Sequence, residues 1–259
     1  MITLLGCESG AFAEPTALPH CAATTVPGQP TTALDLSGPR TVGQILDAGF
    51  RLYARWPLLF ILLAGIVVVP YSIVSAVLTN VNHVPAGTTL ILLLAEVALV
   101  NPFISALQMQ ALTDLGEGRA PRVSDVLARG VKVLAVVAAA DIVAQGIAVV
   151  GVFFLLVPGL LAAIRFAVVA PVAACEHVSW PVTLRRSIQL THRNAWRVLG
   201  LLVIQAVLTY LARSILAVDS LAGVIIGTVL STVAQSFCSL LIGLLYFDLR
   251  AREAAHVAS

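Results

Sequence analysis

From Thr41 onward the chain alternates between two hydrophobic patterns. The first occupies T-V-G-Q-I-L-D-A-G-F-R-L-Y-A-R-W at residues 41–56. At about 100° per residue, Val42, Ile45, Leu46, Gly49, Phe50, Leu52, Tyr53 and Trp56 share one side of a helix, and Gln44, Asp47, Arg51 and Arg55 share the other. Thr41 and Gln44 have the spacing of a capping box, in which each side chain reaches the other's backbone N–H. A wide apolar face backed by arginines suits a helix lying along a membrane surface, with its aromatics at headgroup depth. The second pattern follows at once, a near-continuous apolar run from Pro57 to Thr79. A helix needs about 20 such residues, at about 1.5 Å each, to cross the hydrocarbon core.

The same order recurs twice. Val123, Val126 and Leu127 around Asp125 and Arg129 lead into further apolar runs, with Pro158-Gly159 as a tight break between two of them. S-W-P-V-T-L-R-R-S-I-Q-L-T-H-R-N opens the third unit, with Ser179 as N-cap, Pro181 in the first turn, and Leu184, Ile188, Thr191 and Ala195 as a stripe. The expected fold is all-α: a polytopic membrane protein with six transmembrane helices arranged as three parallel helical-hairpin repeats, each preceded by a cytoplasmic amphipathic helix. The spans fall at about 57–79, 88–113, 131–157, 158–175, 196–217 and 222–247. The repeat rests on the order of hydropathy, since shared letters are few. Residues 1–39, rich in Pro, Thr, Ala and Gly, read as a disordered tail, and 254–259 as a short C-terminal tail around the membrane domain at 40–253. The opening M-I-T-L-L-G-C lacks the basic n-region and the longer apolar run of a signal segment.

Composition agrees with this pattern. Hydrophobic residues make up 59% and charged residues 11% of 259, with mean hydropathy +0.99, far from the roughly one-quarter charged of soluble domains. A net charge of +2 gives no basis for nucleic-acid binding. Position says more than sum. Arg51, Arg55, Arg119, Arg122, Arg129, Lys132, Arg185, Arg186, Arg193, Arg197, Arg250 and Arg252 all fall on one side of the six-span arrangement, and the three opposite turns hold no Lys or Arg. The positive-inside rule then places both termini and the amphipathic segments in the cytoplasm of a plasma (inner) membrane protein. Cys7, Cys21, Cys175 and Cys238 show no paired spacing, so neither a disulfide framework nor a metal site is indicated.

Four segments carry a family resemblance: R-T-V-G-Q-I-L-D-A-G-F-R-L-Y-A-R-W-P at Arg40–Pro57, V-P-G-L at Val157–Leu160 with Arg165 after it, C-E-H-V-S-W-P-V-T-L-R-R-S-I-Q-L-T with W-R-V-L-G between Cys175 and Gly200, and L-L-Y-F-D-L-R-A-R-E at Leu244–Glu253. Together they resemble the bacterial and archaeal integral-membrane proteins related to the membrane domain of glycerophosphoryl diester phosphodiesterase. The resemblance implies a membrane location and a fold. The hydrolytic chemistry of such phosphodiesterases belongs to a separate soluble barrel domain, for which residues 40–253 leave no room, and the resemblance implies no reaction for this chain.

The remaining candidates are charges in apolar surroundings. Glu96, Asp141 and Arg165 lie within the expected spans, where a charge costs about 2.5–3.5 kcal/mol and needs a partner or water. Glu96 and Arg165 are expected near one depth and Asp141 nearer the middle, so Arg165 can pair with either carboxylate; the trio reads as a structural pairing or as an ion or proton pathway. Arg51, Arg55, Arg185, Arg186, Arg193 and Arg197 are candidate contacts to anionic headgroups, each worth about 1 kcal/mol near the surface. Glu176 is expected to pair with an arginine of the following amphipathic helix. No nucleophile–base pair, phosphate-binding Gly loop or H-E-x-x-H motif occurs, so catalysis, a cofactor and a metal are not expected. Two functions from different classes follow: a non-catalytic scaffold or accessory component with membrane lipids as partners, or a transporter or permeation pathway through Glu96, Asp141 and Arg165. A role beside glycerophospholipid metabolism is a third. A protein partner or homo-oligomer is compatible with either of the first two.

Overall fold

The computed structural model describes residues 41–80, 86–176, 178–216 and 221–257, and every regular element among them is helical. The expected tail at 1–39, the turn at 81–85, His177 and the V-D-S turn at 218–220 lie outside the described residues. Five helical segments are long and apolar enough to cross a membrane: Pro57–Leu78, Val123–Gly151, Val157–Glu176, Ala195–Ala212 and Ile225–His256.

Helix α1 (Val42–Arg55) starts at Thr41, whose hydroxyl accepts from the Gln44 N–H at 3.3 Å while Gln44 Oε1 accepts from the Thr41 N–H at 2.8 Å. Its apolar face divides. Ile45, Gly49 and Leu52 are buried, whereas Phe50 is 67% exposed. Gly49 lets α1 approach the last helix closely, since a Cβ there would meet Leu241 Cδ2 at 2.7 Å. Helix α2 (Pro57–Asn80) then runs through Pro70 without ending.

The second expected span is not one α-helix. Helix α3 (Ala86–Ala95) passes through a π-helical turn at Glu96–Val100 into α4 (Asn101–Gly116), with the Asn101 N–H donating to the Glu96 carbonyl. The cause is Pro102. A proline has no N–H for the carbonyl four residues back and its ring crowds that carbonyl, here Ala98 in the middle of the π turn.

The second amphipathic helix, expected as a separate element, is absent as such. Helix α5 (Val123–Phe154) carries the residues around Asp125 and Arg129 straight into the span, because nothing between Val123 and Val131 stops an α-helix except a single tolerated Gly130. The reversal also moves. It turns on Leu155, in extended backbone (φ −156°, ψ 129°), while Pro158 and Gly159 lie inside α6 (Leu156–Phe166). Pro158 sits in the first turn, where a backbone N–H has no helical partner to lose.

Residues 167–168 form a turn before α7 (Val169–Glu176), so the returning span is again interrupted. Pro171 stands four residues after Ala167 and disrupts the ladder there as Pro102 does at Ala98. Helix α8 (Trp180–His192) follows, then α9 (Ala195–Leu216) and the uninterrupted 37-residue α10 (Leu221–Val257). The core sits where α4, α7 and the second half of α10 meet. Leu107, Leu112, Val172, Ala174, Leu241 and Leu245 are all at most 2% exposed. Two core amides reach across helices: Gln110 Nε2 donates to the Ala174 carbonyl at 3.1 Å, and Gln108 Nε2 to Ser236 Oγ at 2.9 Å, which in turn donates to the Phe60 carbonyl.

A polar cavity as the candidate functional site

Both proline-induced interruptions face the same place. Asn101 and Pro102 from the start of α4, and Phe166, Ala167 and Ala170 from the α6–α7 break, border a partly open cavity of about 310 Å³ between the helices. Helix α5 contributes Asp141 and Gln145, α9 contributes Gln205 and Thr209, and α10 contributes Gln235, Cys238 and Ser239. Alanines 144, 148 and 163 leave the room that larger residues would fill. A hydrocarbon-filled bundle has no use for such a lining. Polar side chains in membrane segments gather on one another or around water and ligand.

The three charges expected within spans, Glu96, Asp141 and Arg165, are not one network. Asp141 lies on the cavity wall. Glu96 lies in the π turn, where its Oε1 accepts from Gln235 Nε2 at 3.3 Å. Arg165 is not part of the wall, and among the described residues no ion pair joins it to either carboxylate. Its carbonyl, released at the end of α6, accepts from Ser187 Oγ at 2.8 Å and Thr191 Oγ1 at 3.2 Å. This explains the face of α8. The stripe expected on Leu184, Ile188, Thr191 and Ala195 is displaced, and Thr183, Ser187, Leu190 and Thr191 are the buried residues, because small hydroxyls can donate to the freed backbone of α6.

The arginine-rich end holds two carboxylate clusters. Asp114, at the end of α4, receives Arg129 through both oxygens, Arg129 Nη1 lying 2.9 Å from Oδ1, and Arg119 Nη2 at 3.0 Å. Burial pushes the Asp114 carboxyl upward, but hydrogen bonds and charge from Arg129 and Arg119 outweigh it and hold the group below the usual carboxylate value. Arg186, on α8, forks onto Glu253 of α10, with Nη1 at 2.6 Å from Oε1, and its Nε lies 3.4 Å from Glu176 Oε1. Tyr246 donates to the same Glu176 oxygen at 3.1 Å. The bond to Glu253 first, set against burial, and the charge of Glu176 hold the Arg186 guanidinium protonated still more firmly than usual. Among the other candidate headgroup residues, Arg51 is exposed and pairs with Asp47 at 2.9 Å, Arg55, Arg185 and Arg193 are exposed, and Arg197 is half-buried.

Gln145, Gln205, Thr209 and Gln235 escaped the sequence reading, which weighed charges inside apolar runs. The amides were the available signal: each interrupts an otherwise apolar stretch, and the helical period alone does not say that three different helices turn them toward one point. Among the described residues no group of three or more His, Cys, Asp or Glu is placed to hold a metal ion. Set against protein-family models, curated proteins and solved structures, the chain matches none of them.

Proposed function

We propose that the protein is a six-span membrane protein that admits a small polar solute to the cavity between α4, α5, α9 and α10, as a binding site or permeation pathway. The observation that carries this is the polar wall itself: a carboxylate, three glutamine amides and several hydroxyls around open space at the level of the spanning helices. Its volume lies at the lower end of the ~300–1,000 Å³ of small-molecule pockets. In this reading α3, the π turn and α4 together form the sixth span. The two returning spans interrupted one turn before a proline support the hairpin repeat, and the arginine bias supports cytoplasmic termini in a plasma membrane. Kinship with the phosphodiesterase membrane-domain family belongs to the same proposal and rests on the four motifs.

Asp141→Asn should leave the protein inserted and monodisperse in detergent but abolish solute uptake into proteoliposomes that the parent protein supports. Uptake unchanged in Asp141→Asn, or absent from the parent protein, would sink the pathway reading and leave the cavity a packing feature.

A second, non-catalytic reading concerns the surface. Exposed Arg51, Arg55, Arg185 and Arg193 with exposed Phe50, Trp180 and Trp196 suit contact with anionic headgroups. Replacing Arg185 and Arg193 by Gln, each worth about 1 kcal/mol, should weaken the protein's preference for anionic over zwitterionic lipid in reconstituted vesicles. An identical lipid preference in the double variant would remove these residues from that role.

A further inference from the structure

A second open space lies at the arginine-rich end, apart from the cavity between the spans. It is a cleft of about 600 Å³ between the end of α8 and the last turns of α10, bordered by Gln189, Arg193 and Asn194 on one side and by Arg252, Glu253 and His256 on the other. Its charge is one-sided. The segments that form it, 180–197 and 248–256, hold Arg185, Arg186, Arg193, Arg197, Arg250 and Arg252 against Asp248 and Glu253. Both carboxylates are already engaged. Glu253 receives the Arg186 fork, and Asp248 Oδ2 accepts from Arg252 Nε at 2.9 Å. Arg193 is exposed, and among the described residues no carboxylate pairs with its guanidinium. The amides of Gln189 and Asn194 and the imidazole of His256 add neutral N–H donors to the same walls.

Depth narrows the occupant. About 20 residues of hydrocarbon counted from Ile225, where the apolar stretch of α10 starts, end near Leu245. Arg252 stands about two turns beyond, at the level of the headgroups. Trp196, two residues after Asn194 and 82% exposed, suits the membrane–water interface beside the cleft. A cation placed here meets an excess of guanidinium groups, and a neutral group leaves that excess uncompensated. A phosphate brings negative charge and several acceptor oxygens in the geometry that guanidinium groups match.

Resting on the headgroup reading of the surface arginines above, we propose that the cleft between α8 and the end of α10 binds the phosphate of an anionic lipid headgroup. The lipid belongs to the leaflet on the arginine-rich side, with Arg193 and Arg252 as the charged contacts and His256 as a further donor.

The test is isothermal titration calorimetry on the full chain in a non-ionic detergent. The titrants are dioctanoyl phosphatidic acid, glycerol 3-phosphate and octanoate, at matched pH and ionic strength. Phosphatidic acid should bind saturably at one site, at least about tenfold more tightly than either of the others. Arg193→Gln should weaken it about tenfold, the loss of one charge-assisted hydrogen bond, and His256→Ala about threefold. Arg185→Gln removes an exposed arginine outside the cleft and should change the affinity less than about twofold. Equal losses in Arg185→Gln and Arg193→Gln overturn the cleft in favour of diffuse surface charge. Glycerol 3-phosphate binding as tightly as phosphatidic acid overturns the lipid assignment in favour of a soluble phosphate ester. Octanoate binding as tightly overturns the phosphate assignment. Absence of saturable binding overturns the cleft altogether, and the wider headgroup reading then stands or falls separately on the vesicle preference of the parent protein.

Discussion

Arg129→Ala is expected to lower the stability of the detergent-solubilised protein by about 3 kcal/mol. Removing one partner of a buried ion pair costs about 3–5 kcal/mol, chiefly because the other charge stays buried without compensation. Asp114 is such a charge, its side chain only 7% exposed. The lower end of the range applies because Arg119 remains on Oδ1, although it is itself 60% exposed. Adding Asp114→Asn to Arg129→Ala should recover part of the loss, since the amide needs no counter-charge. Denaturation midpoints for the two single variants and the double variant measure this, and an Arg129→Ala protein within about 0.5 kcal/mol of the parent would reduce the pair to an ordinary surface contact.

The pair also sets a pH signature. The folded-state value of Asp114 is depressed, so its contribution is fully present above the unfolded carboxylate value of about 4 and is lost as pH falls through the lower folded value. Between pH 5 and 7 this group gives a flat profile. Below about 4 stability declines, and Arg129→Ala flattens that limb.

The second large effect belongs to the α5–α6 hairpin. A Cβ on Gly151 would lie 2.8 Å from Gly159 Cα and 3.0 Å from Gly159 N, both backbone atoms that cannot rotate aside. Gly151→Ala must therefore part the two helices, at about 1–3 kcal/mol for overpacking. Gly146→Ala on the same helix is the control, because a Cβ there meets nothing within 4 Å. It should be neutral or stabilising by up to about 1 kcal/mol, the ordinary helix advantage of Ala over Gly. Equal midpoints for the two variants would mean that α5 and α6 are not in backbone contact.

These sites show what the letters could and could not convey. Helical character, the capping box at Thr41 and long apolar runs follow from local periodicity, and the helices obey it. The separate second amphipathic helix did not, because a polar face announces where a helix meets water and says nothing about where it ends. The turn at Leu155 was masked by Pro158-Gly159, a stronger turn signal that here serves the start of a helix and a close crossing. Pro102 and Pro171 each act at a carbonyl four residues earlier, an effect that the apolar run around them does not display. The cavity lay furthest from view. It depends on the rotation of α4, α5, α9 and α10 relative to one another, a quantity no single helix encodes.

Helix α10 runs without a break for 37 residues, about 55 Å, against roughly 30 Å of hydrocarbon. Gln235 on the cavity wall and Glu253 under Arg186 are 18 residues apart on that rod, about 27 Å. No break in the helix separates them. One continuous backbone therefore fixes both the depth and the rotation of the Gln235 amide relative to the Arg186–Glu253 pair at the arginine-rich end.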